Sequence, residues 1–466
     1  MDNASVRLFG LSGLALGIIG NAVTYFLLIF YNQVHGVPAH LVSLALGVAL
    51  LFDACSDPLV GMWSDRLQSK WGRRHPFILL AGIPLAGLYV LLWNPPTWAF
   101  GSEVISLLYL TMLLVAFRLV FTLIDVPFNA MLAEVTRDYD QRTRMASARI
   151  SVAWVGGIGF AVLMYGVFLQ PTEAYPVGVL NLDGYQHASW LGGVVIAVSI
   201  LVSAVGLRKH IPTLRQPRDI ETLTLKEALQ TIKSIVASGP FRALMAFSVV
   251  FRSTDGLFAA LVVYMWTYFW LIDSTQIALL SLANLVGAFV AMVITPRLAW
   301  NQEKRTIIIW GNLAFLLTGT LPISLRLFGF ISDEHTFAVL LSLAVFEISV
   351  FVLVLSILNS MIADIVEDVQ RDTQIRHEGA VVSAQTLMTK VSTAVGTWVA
   401  GMLLTGVGFP EGGGSVMPEA GVVQDLAAAY LAVQFCGTLV CVVLMFRFKL
   451  SRAAHETNLQ ATGEAA

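Results

Sequence analysis

The sequence predicts an all-α membrane protein with twelve transmembrane helices, arranged as two six-helix bundles. Three observations carry this prediction. Of the 466 residues, 57% are hydrophobic and only 12% are charged, which lies far outside the composition of soluble proteins. Twelve apolar runs are each long enough to cross a bilayer, which takes about 20 residues. One long polar connection separates the first six runs from the last six.

The predicted spans end at polar residues or at glycine and proline turns. They cover residues 8–31, 41–63, 76–94, 104–128, 148–170, 188–207, 243–270, 276–296, 306–327, 336–362, 379–405 and 425–446. Residues 1–207 and 243–446 are the two predicted bundles, and 447–466 a cytoplasmic tail. Between the bundles, 208–242 is a predicted cytoplasmic linker. Within it, TLTLKEALQTIKSI has Leu and Ile at the spacing of an amphipathic helix on the membrane surface.

Lys and Arg predict which side each loop faces. Five of the 28 lie within a span or near an outer loop, namely Arg118, Arg149, Arg252, Arg326 and Lys390, and all the others lie in the tails and in every second loop. Because basic loops stay in the cytoplasm, both termini are predicted to be cytoplasmic, in a plasma or inner membrane. A large apolar soluble core does not explain this alternation. The net charge of −2 offers no basic surface for nucleic acid.

The two halves also repeat. Residues 129–143, NAMLAEVTRDYDQRT, are echoed by residues 359–373, NSMIADIVEDVQRDT. SARISVAWVGG (147–157) similarly parallels SAQTLMTKVST (383–393). Because the echoes are largely in polar and loop residues, they indicate duplicated halves around a central cavity, with substrate near the midplane and alternating access by rocking of the halves.

Two carboxylates lie inside the second span. Asp53 and Asp57 are one helical turn apart, with about 5–6 Å between their Cβ atoms. Each ionised carboxylate at this depth costs at least about 2.5–3.5 kcal/mol, so the pair needs neutralisation. A bound proton, a hard monovalent cation held by oxygen atoms, and a basic side chain from another helix all remain open. A purely structural ion pair with Arg118 or Arg149 is a further alternative.

Neutral groups near the acid pair add oxygen ligands. Ser56 and Thr122 have hydroxyls, and Pro58 frees a carbonyl oxygen because it lacks an N–H. Asp125 shares a helical face with Thr122 and Arg118. It is therefore predicted to work with the cation pair or to face substrate, unless it only balances Arg118 or Arg149.

The second half contains other ionisable residues in its spans. Lys390 lies in span eleven, at a position of the repeat near that of Arg149 at the start of span five. Arg252 and Asp255, three apart, can satisfy each other, whereas Glu347 has no obvious local partner. Functional and structural roles stay equally open for these last three residues.

The loop between spans two and three, GMWSDRLQSKWGRRHPF, is predicted to form a cytoplasmic latch. Its acid can pair with loop cations and helix ends that break and reform during a conformational change. The residues concerned are Gly61, Asp65, Arg66, Gly72, Arg73 and Arg74. The alternative is a plain basic loop. After span eight, TPRLAWNQEKR shows no close counterpart to this motif.

These segments together resemble the glycoside-pentoside-hexuronide:cation symporters of the major facilitator superfamily. The resemblance rests on DACSDPLVGMWSDR, SKWGRRHPFIL, IDVPFNA and ADIVED with QTLMTK. The paired-acid element followed by proline, with the downstream WG-basic-basic motif, is specific to that group. The match covers nearly the whole chain.

The resemblance implies roles for individual residues. Asp53 and Asp57 would bind the coupling cation, with Thr122. Asp125 and Arg149 would bind sugar, and Lys390 would lie near both sites. We add Ser56 to the predicted cation site, and Arg118, Asn21 and Asn129 to the predicted substrate site. Where melibiose permease, a member of that family, has an aspartate in span one that clamps sugar hydroxyls, this chain has Gly17, with Asn21 one turn on.

The sequence therefore predicts a secondary transporter, not an enzyme, that couples entry of Na⁺ or H⁺ to uptake of a small solute, such as a sugar or glycoside. We expect no cofactor or metal beyond the coupling ion, no nucleic-acid partner, and a monomer in the bilayer. A transporter of the same fold for a lysolipid or another amphiphile is the alternative. A membrane-embedded enzyme is a remote one, since H-E-x-x-H, G-x-S-x-G and nucleotide-loop motifs are absent from the sequence.

Overall fold

The computed structural model describes residues 3–67, 69–135, 138–213, 239–373, 378–412 and 418–448. Every regular element in these ranges is helical, and twelve of the helices are long and apolar enough to cross a membrane. They are α1 (Asn3–Val34), α2 (Ala39–Arg66), α3 (His75–Trp93), α4 (Glu103–Val135), α5 (Tyr139–Leu163), α6 (Leu182–Leu207), α7 (Gly239–Tyr264), α8 (Ser274–Asn301), α9 (Lys304–Leu327), α10 (Asp333–Thr373), α11 (Glu378–Gly406) and α12 (Ala420–Phe446). The predicted twelve-helix, all-α fold is confirmed.

Three of these helices contain or continue into π-helical turns. The turns cover Ala22–Phe26 and Phe30–Val34 within α1, Met164–Phe168 after α5 and Met265–Phe269 after α7. The chain passes through Pro58 in α2 and Pro127 in α4 without leaving the helix. Pro58 therefore removes one backbone donor but does not break α2.

The helices α4 and α10 are longer than their predicted spans. α4 continues to Val135 and α10 to Thr373, beyond the predicted ends at residues 128 and 362. Hydropathy marks only the part of a helix that lies in hydrocarbon, whereas a helix continues in water wherever its residues favour it. Both extensions consist of the repeated polar segments. The predicted amphipathic segment of the linker falls at residues 214–238, outside the described part of the chain.

By its internal contacts, the chain divides into two compact units. The first unit comprises the described residues of 1–217, 259–285 and 397–426, and the second those of 218–258, 286–396 and 427–466. The division at the linker that the sequence predicts stays a prediction. In the first unit, α1 packs on α5 and α6, α2 on α4, and α3 on α4 and α6.

Polar side chains of α1 connect it to segments from the second half of the sequence, within the first unit. The hydroxyl of Tyr264 donates to Asn32 Oδ1 at 2.9 Å, and that of Tyr268 to Gln33 Oε1 at 3.0 Å. Gln33 Nε2 donates to the carbonyl oxygen of Pro410 at 2.8 Å. Asn32 and Gln33 are 1% and 0% exposed. Buried amides of this kind need such partners, and here these partners hold α1 to α7 and to the α11–α12 connection.

The same end of the unit carries a neutral histidine. The His35 ring stacks on Phe100, with centroids 4.3 Å apart and planes at 10°. Burial lowers the pKa of His35 to about 4, so this imidazole carries no charge at neutral pH. Nearby, burial and the charge of Glu103 raise the pKa of Glu411, while His40 opposes that change.

The second unit has its own apolar core. Residues from α7, α9, α10, α11 and α12 form it, and its most deeply buried members include Leu244, Phe247, Ile308, Leu358 and Met445. Within this unit α9 packs along α10. The core buries helices from different parts of the second half against one another.

Glycines permit a close crossing of α1 and α5. A Cβ atom added at Gly17 would overlap the carbonyl oxygen of Ala153, and one added at Gly157 would overlap the Asn21 side chain. Gly13 similarly faces the carbonyl oxygen of Arg149. The crossing therefore fixes the backbone position from which the Arg149 side chain extends. It also leaves no room for a side chain at position 17, where melibiose permease has an aspartate.

We predict that Gly17→Ala lowers the stability of the folded protein. Its methyl group would collide with backbone atoms that cannot rotate away, and overpacking of this kind costs about 1–3 kcal/mol. The measurement is the midpoint of thermal unfolding in detergent. Gly20→Ala is the matched control, because a Cβ there meets no atom within 4 Å. Equal midpoints for the two variants would contradict the crossing.

Candidate functional site

The two predicted cation-binding carboxylates meet a hydroxyl from the neighbouring helix. Asp53 and Asp57 on α2 approach Thr122 on α4, whose Oγ1 lies 2.8 Å from Asp53 Oδ1 and 3.2 Å from Asp57 Oδ1. The single hydroxyl proton can serve only one carboxylate at a time. Three oxygen atoms are thus gathered at one point, with Asp53 and Thr122 both buried. The sequence predicted this group of residues, and the packing of α2 on α4 assembles it.

Arg118 lies beside the acid pair. Its Nη1 is 3.7 Å from Asp53 Oδ2, longer than a direct charge-assisted hydrogen bond. The sequence analysis assigned Arg118 to the substrate site with Asp125, whereas the structure groups it with Asp53. The long side chain of Arg118 reaches across to α2.

Ser56 points back along its own helix. Its hydroxyl donates to the backbone carbonyl oxygen of Asp53 at 3.2 Å. Its oxygen atom keeps lone pairs for a cation, but this bond does not join it to either carboxylate. The predicted role of Ser56 as a cation ligand stays a prediction.

A second cluster surrounds Arg149 on α5. Its Nη2 lies 2.5 Å from Asp125 Oδ1, its Nη1 donates to Asn129 Oδ1, and its Nε donates to Ser12 Oγ at 3.2 Å. Asn129 Nδ2 in turn donates to Asp125 Oδ2 at 3.0 Å. Each of the three guanidinium nitrogens therefore has a partner, which fixes the group in one orientation.

Aromatic rings flank the same guanidinium. Its Cζ lies 5.5 Å from the ring centroid of Phe128 and 6.0 Å from that of Phe9, within the range of cation–π interaction. The sequence analysis missed Ser12, Phe9 and Phe128. Ser12 and Phe9 lie on α1, which carries none of the sequence motifs. They reach Arg149 only because α1 crosses α5.

The Arg149 cluster has one buried side and one accessible side. The Arg149 side chain is 8% exposed, whereas that of Asp125 is 25% exposed, and Asn129 is exposed as well. A carboxylate in a span does not face lipid, because the energetic cost is several kcal/mol. Asp125 and Asn129 are therefore the accessible members of the cluster.

Two more residues were predicted to bind substrate or to lie near it, Asn21 and Lys390. Asn21 donates from Nδ2 to the carbonyl oxygen of Gly17 in its own helix at 3.2 Å, beside the α1–α5 crossing and without a contact to Arg149 among the described bonds. Lys390 is half-buried on α11, in the second unit. Their predicted roles stay predictions.

The predicted latch loop forms a charge cluster with the end of α4. Arg74 contacts Asp65 and Ser64, and its Nε donates to Glu134 Oε1 at 3.2 Å. Arg73 reaches the same Glu134 oxygen at 3.0 Å. Glu134, which the sequence analysis did not select, thus joins both arginines.

The other loop residues have simpler positions. Gly72 adopts a φ of +80°, in the left-handed region that favours glycine. Gly61 lies on α2 near Val126 of α4. Arg66, at the end of α2, is exposed and makes no hydrogen bond or ion pair with the described residues. Arg66 therefore takes no part in the cluster.

The second half contains a counterpart to this cluster, which the sequence analysis did not find. Lys304 Nζ lies 2.7 Å and 2.8 Å from the two carboxylate oxygens of Asp364. Asp364 occupies the same place in the second repeat as Glu134 in the first. The loop motif itself has no close counterpart after span eight, and the similarity lies in the ion pair, whose acid comes from the end of α10.

We predict that Arg74→Ala destabilises the protein by about 1.5–3 kcal/mol, the usual contribution of a hydrogen bond to a charged group, because Arg73 still pairs with Glu134 in the variant. Glu134 and Asp65 would lose a shared cation, and Glu134 is largely buried. Unfolding in detergent measures the effect. Arg66→Ala, eight positions earlier on the exposed end of α2, should behave as the wild type. A matching loss in both variants would show that general loop charge, not the cluster, is responsible.

The fold and the site define a class. Twelve helices long and apolar enough to cross a membrane, an acid pair on α2 and an Asp–Arg–Asn cluster on α4 and α5 are features of a secondary transporter rather than of an enzyme. Family comparison identifies the class more closely. The model of the MFS/sugar transport protein family matches residues 8–452. The chain belongs to this family of the major facilitator superfamily, as its motifs predicted, and is a multi-pass membrane protein.

Individual relatives are distant. The putative glycoside/cation symporter YagG of Escherichia coli is 24% identical over 88% of this chain and 84% of its own length. The isoprimeverose transporter of Lactiplantibacillus pentosus is 22% identical over 86% of this chain and 80% of its own length. An uncharacterised symporter of Synechocystis is 32% identical, but the match spans only 34% of this chain and 29% of that relative.

Solved structures support the fold. The inward-open xylose transporter XylE of E. coli superposes with a TM-score of 0.66 at 15% identity, covering 98% of both chains. At this identity the similarity concerns the fold alone.

Proposed function

We propose that this protein is a cation-coupled symporter for a small glycosidic solute. One observation carries the proposal: Thr122, which touches both acids, and Asp125, which faces the accessible space, are three residues apart on α4. A cation and a solute bound at these places would act on the same helix. Each ligand would then change the affinity for the other, as coupling requires.

The proposed cation site is the acid pair with Thr122. Its ligands are hard oxygen atoms, which suits a monovalent cation or a proton. Binding of Na⁺ or H⁺ would remove the cost of the buried negative charge and fix the position of Thr122 between α2 and α4. Alternating access by rocking of the two halves would then carry both ligands across.

The proposed solute site is the cluster of Asp125, Asn129 and Arg149. Its carboxylate, amide and guanidinium offer acceptors and donors to the hydroxyl groups of a sugar. The names of two distant relatives, a glycoside/cation symporter and an isoprimeverose transporter, support this solute class. Position 17 provides no carboxylate, so recognition of a galactoside through that position is not expected.

The charge distribution further supports a topology with both termini in the cytoplasm, in a plasma or inner membrane, and we include it in the proposal together with a monomeric state.

Uptake into proteoliposomes tests the function as a whole. The purified protein would be offered a panel of sugars, glycosides, glucuronides and a lysolipid, with Na⁺ and pH gradients imposed separately. Uptake of the lysolipid alone, or uptake insensitive to both gradients, would refute the proposal.

We predict that Asp57→Cys abolishes accumulation driven by a cation gradient but retains exchange of solute across the membrane. The variant loses one of the two carboxylates that attract the cation, while the Arg149 cluster stays intact. Asp183→Cys is the control, because Asp183 is exposed in the first turn of α6. Full accumulation by Asp57→Cys would rule out the acid pair as the coupling site.

We also predict that Asp125→Asn raises the KM for the solute by about tenfold or more, since a hydrogen bond to a charged group contributes about 1.5–3 kcal/mol. The change keeps the shape of the side chain and removes its charge, so Arg149 loses its ion-pair partner. Cation affinity, measured without solute, should change much less. An unchanged KM would exclude Asp125 from the solute site, and a lost cation affinity with unchanged KM would place it in the cation site instead.

A further inference from the structure

At one end of the first unit, segments from the second half of the sequence lie directly against helices of the first half. Besides the hydrogen bonds between α1 and α7, α11 approaches α2 so closely that a Cβ atom added at Gly401 would overlap the hydroxyl of Ser43. α8 approaches the π turn after α5, where a Cβ atom added at Gly166 would lie 3.7 Å from Ala278 Cβ. Three pairs of segments from the two halves thus meet within this unit.

The proposed topology places all six of these segments at the outer side of the membrane. If the N-terminus is cytoplasmic, α1, α5, α7 and α11 end outside, and α2 and α8 begin there. Ser43 and Ala278 lie in the first two turns of α2 and α8, and the other contacting residues lie toward the ends of their helices. The contacts therefore lie on the side from which a symporter takes up its solute.

Two consecutive amides at the end of α1 form the polar centre of this contact. Gln33 Nε2 donates to Asn32 Oδ1 at 2.6 Å and to the carbonyl oxygen of Pro410 at 2.8 Å, and Gln33 Oε1 accepts from Tyr268. Asn32 Oδ1 also accepts from Tyr264. Three side-chain hydrogen bonds therefore run from this amide pair to residues of the second half.

The backbone adds a fourth hydrogen bond. Gly412 N donates to the carbonyl oxygen of Asn32 at 3.1 Å. The chains can approach here because a Cβ atom added at Gly412 would lie 3.7 Å from Gly36 Cα, and both glycines have positive φ, +68° and +71°, a region that favours glycine. The α11–α12 connection is thus held against the end of α1 by main-chain as well as side-chain atoms.

Contacts of this chemistry can break and reform. Each hydrogen bond favours the joined state by only about two- to tenfold, because the separated groups bond to water instead. Asn32, Gln33 and Tyr268 also lie in π turns, Phe30–Val34 and Met265–Phe269, and such turns occur frequently at functional sites. The local backbone and the bond chemistry both suit a contact that opens.

We propose that Asn32 and Gln33, with Tyr264, Tyr268 and Pro410, form a clasp that closes the outer side of the carrier and opens once in each transport cycle. The structure has the clasp closed. The proposal rests on the proposed function, since alternating access is what requires the contact to open. The alternative is a permanent structural joint at the same place.

Opening of the clasp is measured by the accessibility of the solute cluster from outside. In right-side-out vesicles, a membrane-impermeant methanethiosulfonate reagent labels Asn129→Cys in the full-length protein, since Asn129 is exposed. Cys55, Cys436 and Cys441 are replaced by alanine, so that the introduced thiol is the one that reacts. The measurement uses neither a solute nor a cation gradient.

Removing donors of the clasp should speed labelling from outside. We expect a rate about threefold higher with Tyr268→Phe, and about tenfold higher when Tyr264→Phe is added, because each change removes one bond between the halves. Tyr31→Phe is the matched control, since its buried hydroxyl donates to the carbonyl oxygen of Leu92 at 2.8 Å, within the first half, and the rate should not change. In inside-out vesicles the rate should not rise, whereas a generally loosened fold would be labelled faster from both sides.

A disulfide across the halves should have the opposite effect. The 3.7 Å distance at Gly166 and Ala278 suits the Cβ–Cβ separation of a disulfide. Oxidation of Gly166→Cys with Ala278→Cys should lower outside labelling at least tenfold, followed on the peptide that contains residue 129, and reduction should restore it. Gly166→Cys alone, treated in the same way, should show no change.

Either of two results would overturn the clasp. Equal outside rates for the Tyr264→Phe and Tyr268→Phe double variant and for Tyr31→Phe would exclude the amide network. Outside labelling that the disulfide does not reduce, or that is absent from every variant, would show a permanent joint. A failed uptake panel would leave these rates measurable, so the clasp and the proposed symport fail or stand separately.

Discussion

The acid pair on α2 is the constraint on which the first unit depends. Two carboxylates one turn apart repel each other, and each loses hydration inside the bilayer. The protein compensates by packing α4 against α2, so that Thr122 lies between the carboxylates and Arg118 beside one of them. A coupling cation bound at these oxygen atoms would therefore have an affinity that depends on the position of α4.

The Arg149 cluster handles buried charge differently. All three nitrogens of its guanidinium are engaged, and two aromatic rings cover its flanks. It is a rigid donor whose position is set by the glycine crossing of α1 and α5. Asp125 and Asn129, in contrast, remain partly accessible. The guanidinium of Arg149 is held in place behind the two accessible side chains. These groups would need little rearrangement to form hydrogen bonds with a solute.

One acidic residue of each repeated segment forms an ion pair with a basic residue from another part of its half. Glu134 and Asp364 occupy the same position in the two repeats. Glu134 forms ion pairs with Arg73 and Arg74, before the start of α3, and Asp364 forms one with Lys304, at the start of α9. In both halves the ion pair joins the end of a long helix to the connection one helix earlier, α2–α3 in one half and α8–α9 in the other. Duplicated sequence has thus kept the acid while the basic partner differs, arginines in one half and a lysine in the other.

The sequence by itself determined the membrane location, the number of helices and the identity of most charged residues at the candidate sites. These follow from local properties: hydropathy over one span, the sorting of Lys and Arg between loops, and the one-turn spacing of Asp53 and Asp57. The same local reasoning did not find Ser12 or Glu134. Ser12 is 137 residues from Arg149, and nothing in the spacing of either helix indicates that they meet.

Only the tertiary structure decided which charges are partners. A span contributes one face to each neighbour, and the choice of neighbour depends on where backbones can approach, as at Gly17 and Gly157. That choice placed Arg118 with Asp53 and left Asp125 to Arg149. Charge pairing inside a membrane is strong at short range, but packing selects the pairs.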